Sequence, residues 1–242
     1  MERGLPASIE IAWGMRERSG KGPKRGLSLE QIVEAAVNVA SGEGLAAVSM
    51  SRIAKELGAA TMSLYRYVAT KDELLALMVD AAFQPADAPA TRERWRAALS
   101  RWAHEHLAVL RRYPWVVRVP LSGPPIMPNQ VVWFERGLWS LRNTNLAEEE
   151  KVSVLLLVNG YVRNEAILQA DLQMAAGADS TVADAMSSYG KLLSRLIDPV
   201  RFPAISAVIA SGIFDQRDES DADFTFGLER ILDGVDALVR QR

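Results

Sequence analysis

The sequence predicts an all-α protein in which a small N-terminal helix-turn-helix domain precedes a larger C-terminal helical bundle. Apolar residues recur three and four positions apart along most of the 242 residues, which is the periodicity of amphipathic helices. No run alternates as a strand would, and no glycine-rich phosphate loop is present. A proline- and alanine-rich linker, "QPADAPAT" at 84–91, divides the chain. We therefore expect an arm at 1–27, a small helical domain at 28–83 and a larger helical bundle at 84–242.

The composition is that of a globular protein, with 49% hydrophobic and 24% charged residues. The absence of cysteine excludes disulfides, zinc-thiolate sites and a cysteine nucleophile. The longest apolar run, near Val152–Val158, is far shorter than a membrane-spanning helix requires. The N-terminus lacks the layout of a signal peptide. We expect a cytoplasmic protein without a membrane partner.

Residues 1–27 show no sustained periodicity. Their segment "RERSGKGPKRG", from Arg16 to Gly26, is basic and rich in glycine. This composition predicts a flexible basic arm, for which a plain solvated tail is the simplest interpretation.

The first helix of the second region begins at Ser28, a suitable N-cap, and Gln31 completes a capping-box pattern. The segment "SGEG" at 41–44 ends it. A second helix is predicted from Ser49 or Met50 to Gly58.

A short third helix of roughly seven residues is then expected from Thr61. The fourth helix opens at Lys71 and runs to about Phe83. This helix would connect the N-terminal domain to the bundle.

The stretch "SMSRIAKELGAATMSLYRYV" combines two helices and a turn that contains glycine, as in a helix-turn-helix. Gly58 can adopt the positive φ that ends the second helix. Apolar residues that face a shared core are Ile53, Leu57, Leu64 and Val68. The remaining side chains of the third helix are Thr61, Met62, Ser63, Tyr65, Arg66 and Tyr67. Short groups that reach base edges and donors that hold phosphates are what a recognition helix needs. For Tyr67, packing in a small core remains an alternative.

These motifs resemble the tetracycline-repressor (TetR/AcrR) family of bacterial transcription regulators. The resemblance covers about residues 27–80 and includes "IAKELG", "SLYRYV" and "KDELL". The segment "FTFGLERILDGVDALV" at 224–239 looks like the last helix of the family's C-terminal domains. The resemblance implies a homodimer that binds a palindromic double-stranded operator as a repressor and is released by a small-molecule effector, without a cofactor.

The resemblance also implies roles for individual residues. Ser49 and Arg52 would hold phosphates at the start of the second helix. Four side chains would face the major groove: Thr61, Met62, Ser63 and Arg66. Three would clamp the DNA backbone: Tyr65, Tyr67 and Lys71. The turn residues Ala59 and Ala60 offer little base-reading chemistry, and the basic arm could add minor-groove or phosphate contacts.

Beyond the linker, helices are predicted at 92–112, 128–144, 147–175, 180–197 and 221–240, with "VPLSGPPIMP" at 119–128 and turns near Pro199 and Pro203 between them. The dimer interface is expected on the helices that contain 151–168 and 224–239. An apolar stripe on the last helix is formed by Phe224, Leu228, Ile231, Leu232, Val235 and Leu238. This stripe could equally be core.

The resemblance implies a small-molecule pocket in the bundle, and the aromatic and polar residues there favour a small hydrophobic or aromatic effector. The candidates are Trp102, His106, Trp115, Trp133, Phe134, Asn159 and Arg163. For each one, a place in the core or at the surface remains an alternative. His104 and His106 are two positions apart and face different sides of a helix, so no metal site is expected.

Three other classes of protein compete with this prediction. An α-helical enzyme would need a nucleophile with a base or a metal constellation, and neither pattern is present. A non-specific architectural DNA binder would be strongly basic, whereas the formal net charge is −2. A dimeric DNA-binding regulator without a ligand is not distinguished by the sequence.

Overall fold

The computed structural model describes residues 7–15, 27–84, 93–120, 123–177, 180–215 and 221–242. Within these ranges the protein is helical and contains no strand. The α-helices are α1 Ala7–Ala12, α2 Leu29–Glu43, α3 Met50–Glu56, α4 Thr61–Leu64, α5 Lys71–Ala82, α6 Trp95–Arg112, α7 Pro128–Ser140, α8 Glu148–Ala176, α9 Val182–Leu196, α10 Pro203–Ala210 and α11 Ala222–Gln241. Short 3₁₀ turns lie at Leu45–Ala47, Pro114–Arg118 and Ile213–Asp215.

Helices α2 to α5 form the N-terminal helical domain, which is called the head below. The predicted capping box of α2 is confirmed, since the Ser28 hydroxyl accepts from the Gln31 N–H at 3.2 Å and the Gln31 side chain accepts from the Ser28 N–H at 3.0 Å. α2 packs against α5, and α3 packs against α4. The core of the head is fully buried and includes Ile32, Ile53, Leu64, Val68 and Leu74.

The third predicted helix is shorter in the structure than the roughly seven residues expected. α4 ends at Leu64, whose carbonyl accepts from the N–H groups of Tyr67 and Val68 at 2.9 and 3.0 Å. These bonds close a turn instead of extending the helix. Thr70 then caps α5 by accepting from the Glu73 N–H at 3.1 Å.

Helix α1 lies inside the segment predicted to be a flexible arm and corrects that prediction for residues 7–15. Ile9, Ile11 and Ala12 pack against the main hydrophobic core, and Ser8 is completely buried. Burial of these apolar side chains orders a helix too short to be stable alone. Residues 1–6 and 16–26, including the basic stretch, lie outside the described residues.

The C-terminal bundle is built around α6, which packs against α7, α8 and α11. A helix that the sequence did not predict, α10, begins at Pro203 where a turn was expected. Proline is suited to the first helical position because the N–H it lacks has no partner there. Within the described residues, no helix combines the length and the apolar character needed to cross a bilayer.

Candidate DNA interface and effector site

The turn between α3 and α4 has the geometry that a helix-turn-helix requires. Gly58 adopts φ 61°, as the sequence predicted, and the Ala59 N–H donates to the Ala54 carbonyl at 2.9 Å. Ser49 caps α3 by accepting from the Arg52 N–H at 3.2 Å. These bonds fix both ends of α3 and the turn that leads into α4.

The side chains around α4 form an exposed face. Met62 is 74% exposed, Tyr65 is 45% exposed, and Arg66 is also exposed, while Thr61 and Ser63 are half-buried. Arg66 and the exposed Lys71 make no ion pair with any residue that the structure describes. The face therefore offers two unpaired cations, short polar groups and an apolar tip, which can meet phosphates and base edges.

Tyr67 differs from Tyr65 because it is half-buried and packs against the core of the head. It contributes to packing beside Leu64 and Val68, both fully buried. The core alternative for Tyr67 therefore has direct support, and its contact with the DNA backbone stays a prediction.

Arg52 is already engaged within the head. Its guanidinium binds Glu43 at 2.5 Å and Glu56 at 2.7 Å. Hydrogen bonding to Glu43 and then Glu56 raises the pKa of Arg52, and the bond from Arg52 lowers the pKa of Glu43. A phosphate would compete with two carboxylates for this group, so the predicted role of Arg52 requires an exchange of partners.

In the bundle, three of the predicted effector-site residues come together in an aromatic cluster, defined here as Trp102, His106, Trp133 and Phe83. The His106 ring centroid lies 5.3 Å from Trp102, 5.8 Å from Trp133 and 5.1 Å from Phe83. The Trp102 indole N–H donates to the Trp133 carbonyl at 3.0 Å. The Trp133 indole N–H donates to the Phe83 carbonyl at 2.8 Å. The cluster therefore connects α6, α7 and the end of α5.

Two buried polar side chains, one in the cluster and one beside it, have incomplete hydrogen bonding among the described residues. The His106 Nδ1 has no partner there, and burial lowers the His106 pKa to about 3, with nearby Arg163 adding to the shift. Arg136 binds Glu105 at 2.6 Å and stacks over Trp133 at 4.9 Å, yet its Nε and Nη1 lack partners in the same residues. Unsatisfied buried donors are costly, which makes these groups candidates for a bound molecule or water.

The space beside Arg136 is small in this conformation. A cavity between α6 and α7, next to Trp102 and Arg136, measures about 10 Å³, enough for one water molecule. A small molecule of ordinary size does not fit this space in the present conformation.

The other predicted effector-site residues are not members of the aromatic cluster, although Arg163 is close enough to His106 to lower its pKa. Arg163 is half-buried on α8, and burial lowers its pKa. Asn159 and Phe134 are also half-buried. Trp115 is buried elsewhere, and its indole N–H donates to the Ser41 hydroxyl of α2 at 3.2 Å. Trp115 thus fastens the bundle to the head.

A second joint between head and bundle, which sequence reasoning missed, is centred on Asp80. This buried carboxylate on α5 accepts from the Gln130 N–H at 3.0 Å, and the Asn129 side chain donates to the Asp80 carbonyl at 3.0 Å. Burial raises the pKa of Asp80. An acid within the apolar segment "LLALMVDAAF" was the signal that could have identified it.

The predicted apolar stripe on α11 divides between core and surface. Phe224, Leu228, Leu232 and Val235 are buried within the subunit. Ile231 and Leu238 are half-buried and line a groove of about 440 Å³ between α8 and α11. Exposed apolar residues on the same two helices are Leu156, Leu157 and Phe226. Exposed apolar side chains beside a groove are a feature that protein interfaces often have.

No group of three or more histidine, cysteine, aspartate or glutamate side chains in the described part of the chain could hold a metal ion.

Two family models match the chain. Residues 32–78 match "Bacterial regulatory proteins, tetR family", and residues 88–239 match "Tetracyclin repressor-like, C-terminal domain". Together they cover the head and the bundle.

Individual relatives agree with these matches. The chain is 38% identical to the HTH-type transcriptional repressor DrrR1 of Streptomyces coeruleorubidus, over 98% of this chain and 88% of that protein. ActR, a TetR family protein of Streptomyces coelicolor, was solved in complex with actinorhodin and is similar with 28% identity and a TM-score of 0.73, covering 88% of this chain and 97% of ActR. The complex of ActR with (S)-DNPA has a TM-score of 0.72 at 28% identity, with 87% of this chain and 98% of that one covered.

Proposed function

The chain belongs to the tetracycline-repressor family of bacterial transcription regulators, and on that premise we propose that it is a dimeric repressor released from its operator by a small aromatic effector. It acts on DNA in the cytoplasm, without a cofactor and without catalysing a reaction. The observation that carries the proposal is the exposed face around α4, where Tyr65 and Arg66 project beside the exposed Lys71 and neither cation pairs with a described residue. Such a face fits the major groove and its phosphates.

A homodimer follows from the size of this face and from the surface of the bundle. One four-residue helix can contact only a few base pairs, and two-fold symmetry doubles the contacts on a palindrome. The groove between α8 and α11, with exposed Leu156, Leu157 and Phe226, supplies an apolar surface for a second copy.

A small-molecule effector is supported by the complexes of ActR, whose fold the chain shares, and its aromatic character by the aromatic cluster. His106 Nδ1 and the Arg136 Nε and Nη1, which have no partner among the described residues, could bind polar substituents of such a molecule. The half-buried Arg163 could also contact it. Binding would have to open the cluster because the adjacent cavity, at about 10 Å³, has room for only one water molecule.

Release of DNA follows from the position of Trp133. Its indole bonds to the Phe83 carbonyl at the end of α5, and α5 begins directly after the recognition turn. An effector that separates Trp102 from Trp133 would shift α5 and the head with it. By linkage, an effector that prefers this shifted state must lower operator affinity by the same factor by which the operator lowers effector affinity.

The first test is fluorescence anisotropy of the purified protein on the intergenic DNA beside its own gene, with scrambled DNA of equal length as the control. We expect specific binding by two subunits that weakens with added salt. Equal weak binding to both DNAs would contradict the assignment of this operator. Screening aromatic compounds for release in the same assay separates an effector-controlled repressor from a regulator without a ligand.

The dimer is tested by Leu157→Asp, which places a charge on the exposed apolar surface of α8. We expect a monomer in sizing with light scattering and loss of operator binding. Val132→Asp on α7, at 39% exposure, is the control and should remain dimeric. A Leu157→Asp protein that remains dimeric would place the interface elsewhere.

A further inference from the structure

Helix α1 contacts the recognition region of the head through one buried serine. The Ser8 hydroxyl, completely shielded from solvent, donates to Oε1 of Glu73. The other oxygen of Glu73, Oε2, accepts from the Ala69 N–H at 2.6 Å. Ala69 lies in the turn between the recognition residues and α5. One carboxylate therefore holds α1 and this turn together.

The opposite end of α1 contacts the bundle. The indole N–H of Trp13 donates to the Ile126 carbonyl at 2.9 Å. Ile126 lies two positions before Pro128, the first residue of α7. Between the two ends, Ile9 and Ile11 pack against the core. α1 and the residue after it thus connect the start of α5 with the start of α7.

We propose that α1 is a positioning element for DNA binding, with Ser8 as the positioning residue that fixes the recognition turn and Trp13 as its attachment to the bundle. The proposal rests on the DNA-binding function proposed above. Hydrogen bonds to charged groups are among the stronger ones in proteins, and both oxygens of Glu73 are occupied by such bonds. Loss of the Ser8 hydroxyl leaves the carboxylate free to rotate away from the Ala69 N–H. Arg66 and Lys71, on either side of this turn, would then lose their fixed relation to the DNA.

This role predicts an effect on recognition that a purely packing role would not produce. In the full-length Ser8→Ala protein we expect binding to the intergenic operator fragment to weaken by about tenfold, the usual size for a lost charged hydrogen bond. Binding to scrambled DNA, which depends on charge and not on register, should stay within about twofold. Amide hydrogen exchange should become faster at residues 69–74.

The Trp13→Phe protein tests the attachment. It keeps the aromatic ring and lacks the donor to Ile126, so exchange should become faster at 126–131. Trp139→Phe is the matched control, because Trp139 is 40% exposed and Trp13 is 41% exposed, and no hydrogen bond from the Trp139 indole to a described residue is present. The control should leave exchange in both segments unchanged.

Glu73 provides an independent check. Glu73→Gln retains one acceptor oxygen for the Ala69 N–H and an amide group that can donate to the Ser8 hydroxyl, whereas Glu73→Ala removes both groups. We expect Glu73→Gln to keep more operator affinity than Glu73→Ala, at equal helix content by circular dichroism.

Three results would overturn the positioning role. These are operator binding by Ser8→Ala equal to that of the wild type, equal losses on operator and scrambled DNA, and unchanged exchange at 69–74. A wild-type protein that does not distinguish the operator from scrambled DNA would instead reject the proposed function.

Discussion

The exposed face of the head and the aromatic cluster of the bundle place their functional groups in opposite environments. Around α4, Tyr65 and Arg66 extend into solvent and have little to do with the stability of the subunit. In the bundle, Trp133 and His106 are buried and bonded or packed on several sides. Substitution of the exposed residues is therefore expected to change binding to a partner and to leave stability unchanged. Substitution of the buried cluster residues is expected to change stability as well as binding.

The largest expected effect is on the exposed face. Arg66→Ala should weaken operator binding by at least about 100-fold, because a dimer loses one charged contact in each subunit. Its free energy of unfolding should stay within about 0.5 kcal/mol of the wild type, as for most surface substitutions. Anisotropy and urea denaturation measure the two quantities, and Arg195→Ala on the exposed surface of α9 is the control. A large loss of stability in Arg66→Ala would break the contrast between the two regions.

Trp133→Phe tests the buried region. The change removes the donor to the Phe83 carbonyl and part of a buried ring system, so the free energy of unfolding should fall by about 2–3 kcal/mol. Urea denaturation followed by circular dichroism gives the value. A stability equal to that of the wild type would mean that the bond between α7 and α5 contributes nothing to the fold.

Burial of His106 is expected to make the free energy of unfolding depend on pH. Its pKa is lowered to about 3 in the folded protein from an ordinary value of 6.5, so the unfolded chain binds a proton that the folded protein does not. The free energy of unfolding should therefore fall as the pH falls below about 6.5, by about 2 kcal/mol between about pH 7.5 and pH 5. Denaturation curves of the wild type and His106→Leu, compared at both pH values, isolate this contribution. An identical change in the two proteins would exclude His106 as its source.

The smallest expected effect is at the turn of the head. Gly58→Ala should lower the free energy of unfolding by about 1 kcal/mol, because alanine is strained at φ 61°. The position is otherwise open, because no described residue beyond its two chain neighbours has an atom within 4 Å of an added Cβ. Thermal denaturation would detect the change, and an unchanged midpoint would indicate that the turn relaxes to another conformation.

The sequence predicted the head more fully than it predicted the contacts within the bundle. Periodicity, the capping box at Ser28 and the glycine at 58 depend on neighbours in the chain, and the head was predicted well from them. The length of α4 was overestimated because the bonds from Tyr67 and Val68 to the Leu64 carbonyl are not encoded in apolar spacing.

Contacts between distant segments were the main omissions. Ser8 is ordinary in the sequence and meets Glu73 only through the fold, 65 positions away. Arg136 becomes notable only once its Nε and Nη1 are seen to be buried without partners among the described residues. The aromatic residues did indicate the bundle cluster, yet they could not show that Trp115 lies against α2 instead. The roles of side chains that contact near neighbours in the chain could be predicted from the sequence. The roles of side chains that join distant segments could be recognised only in the structure.

The carboxylate of Asp80 limits how freely the two domains can be recombined. It stands in for the missing N-cap of α7, because it comes from α5 and accepts the Gln130 N–H near the first turn. A chimera that joins this bundle to another head would need an acid at the equivalent place, or α7 would begin with an exposed or unsatisfied end. Domain exchange among relatives is therefore expected to succeed only where the donor head carries the cap that the recipient helix requires.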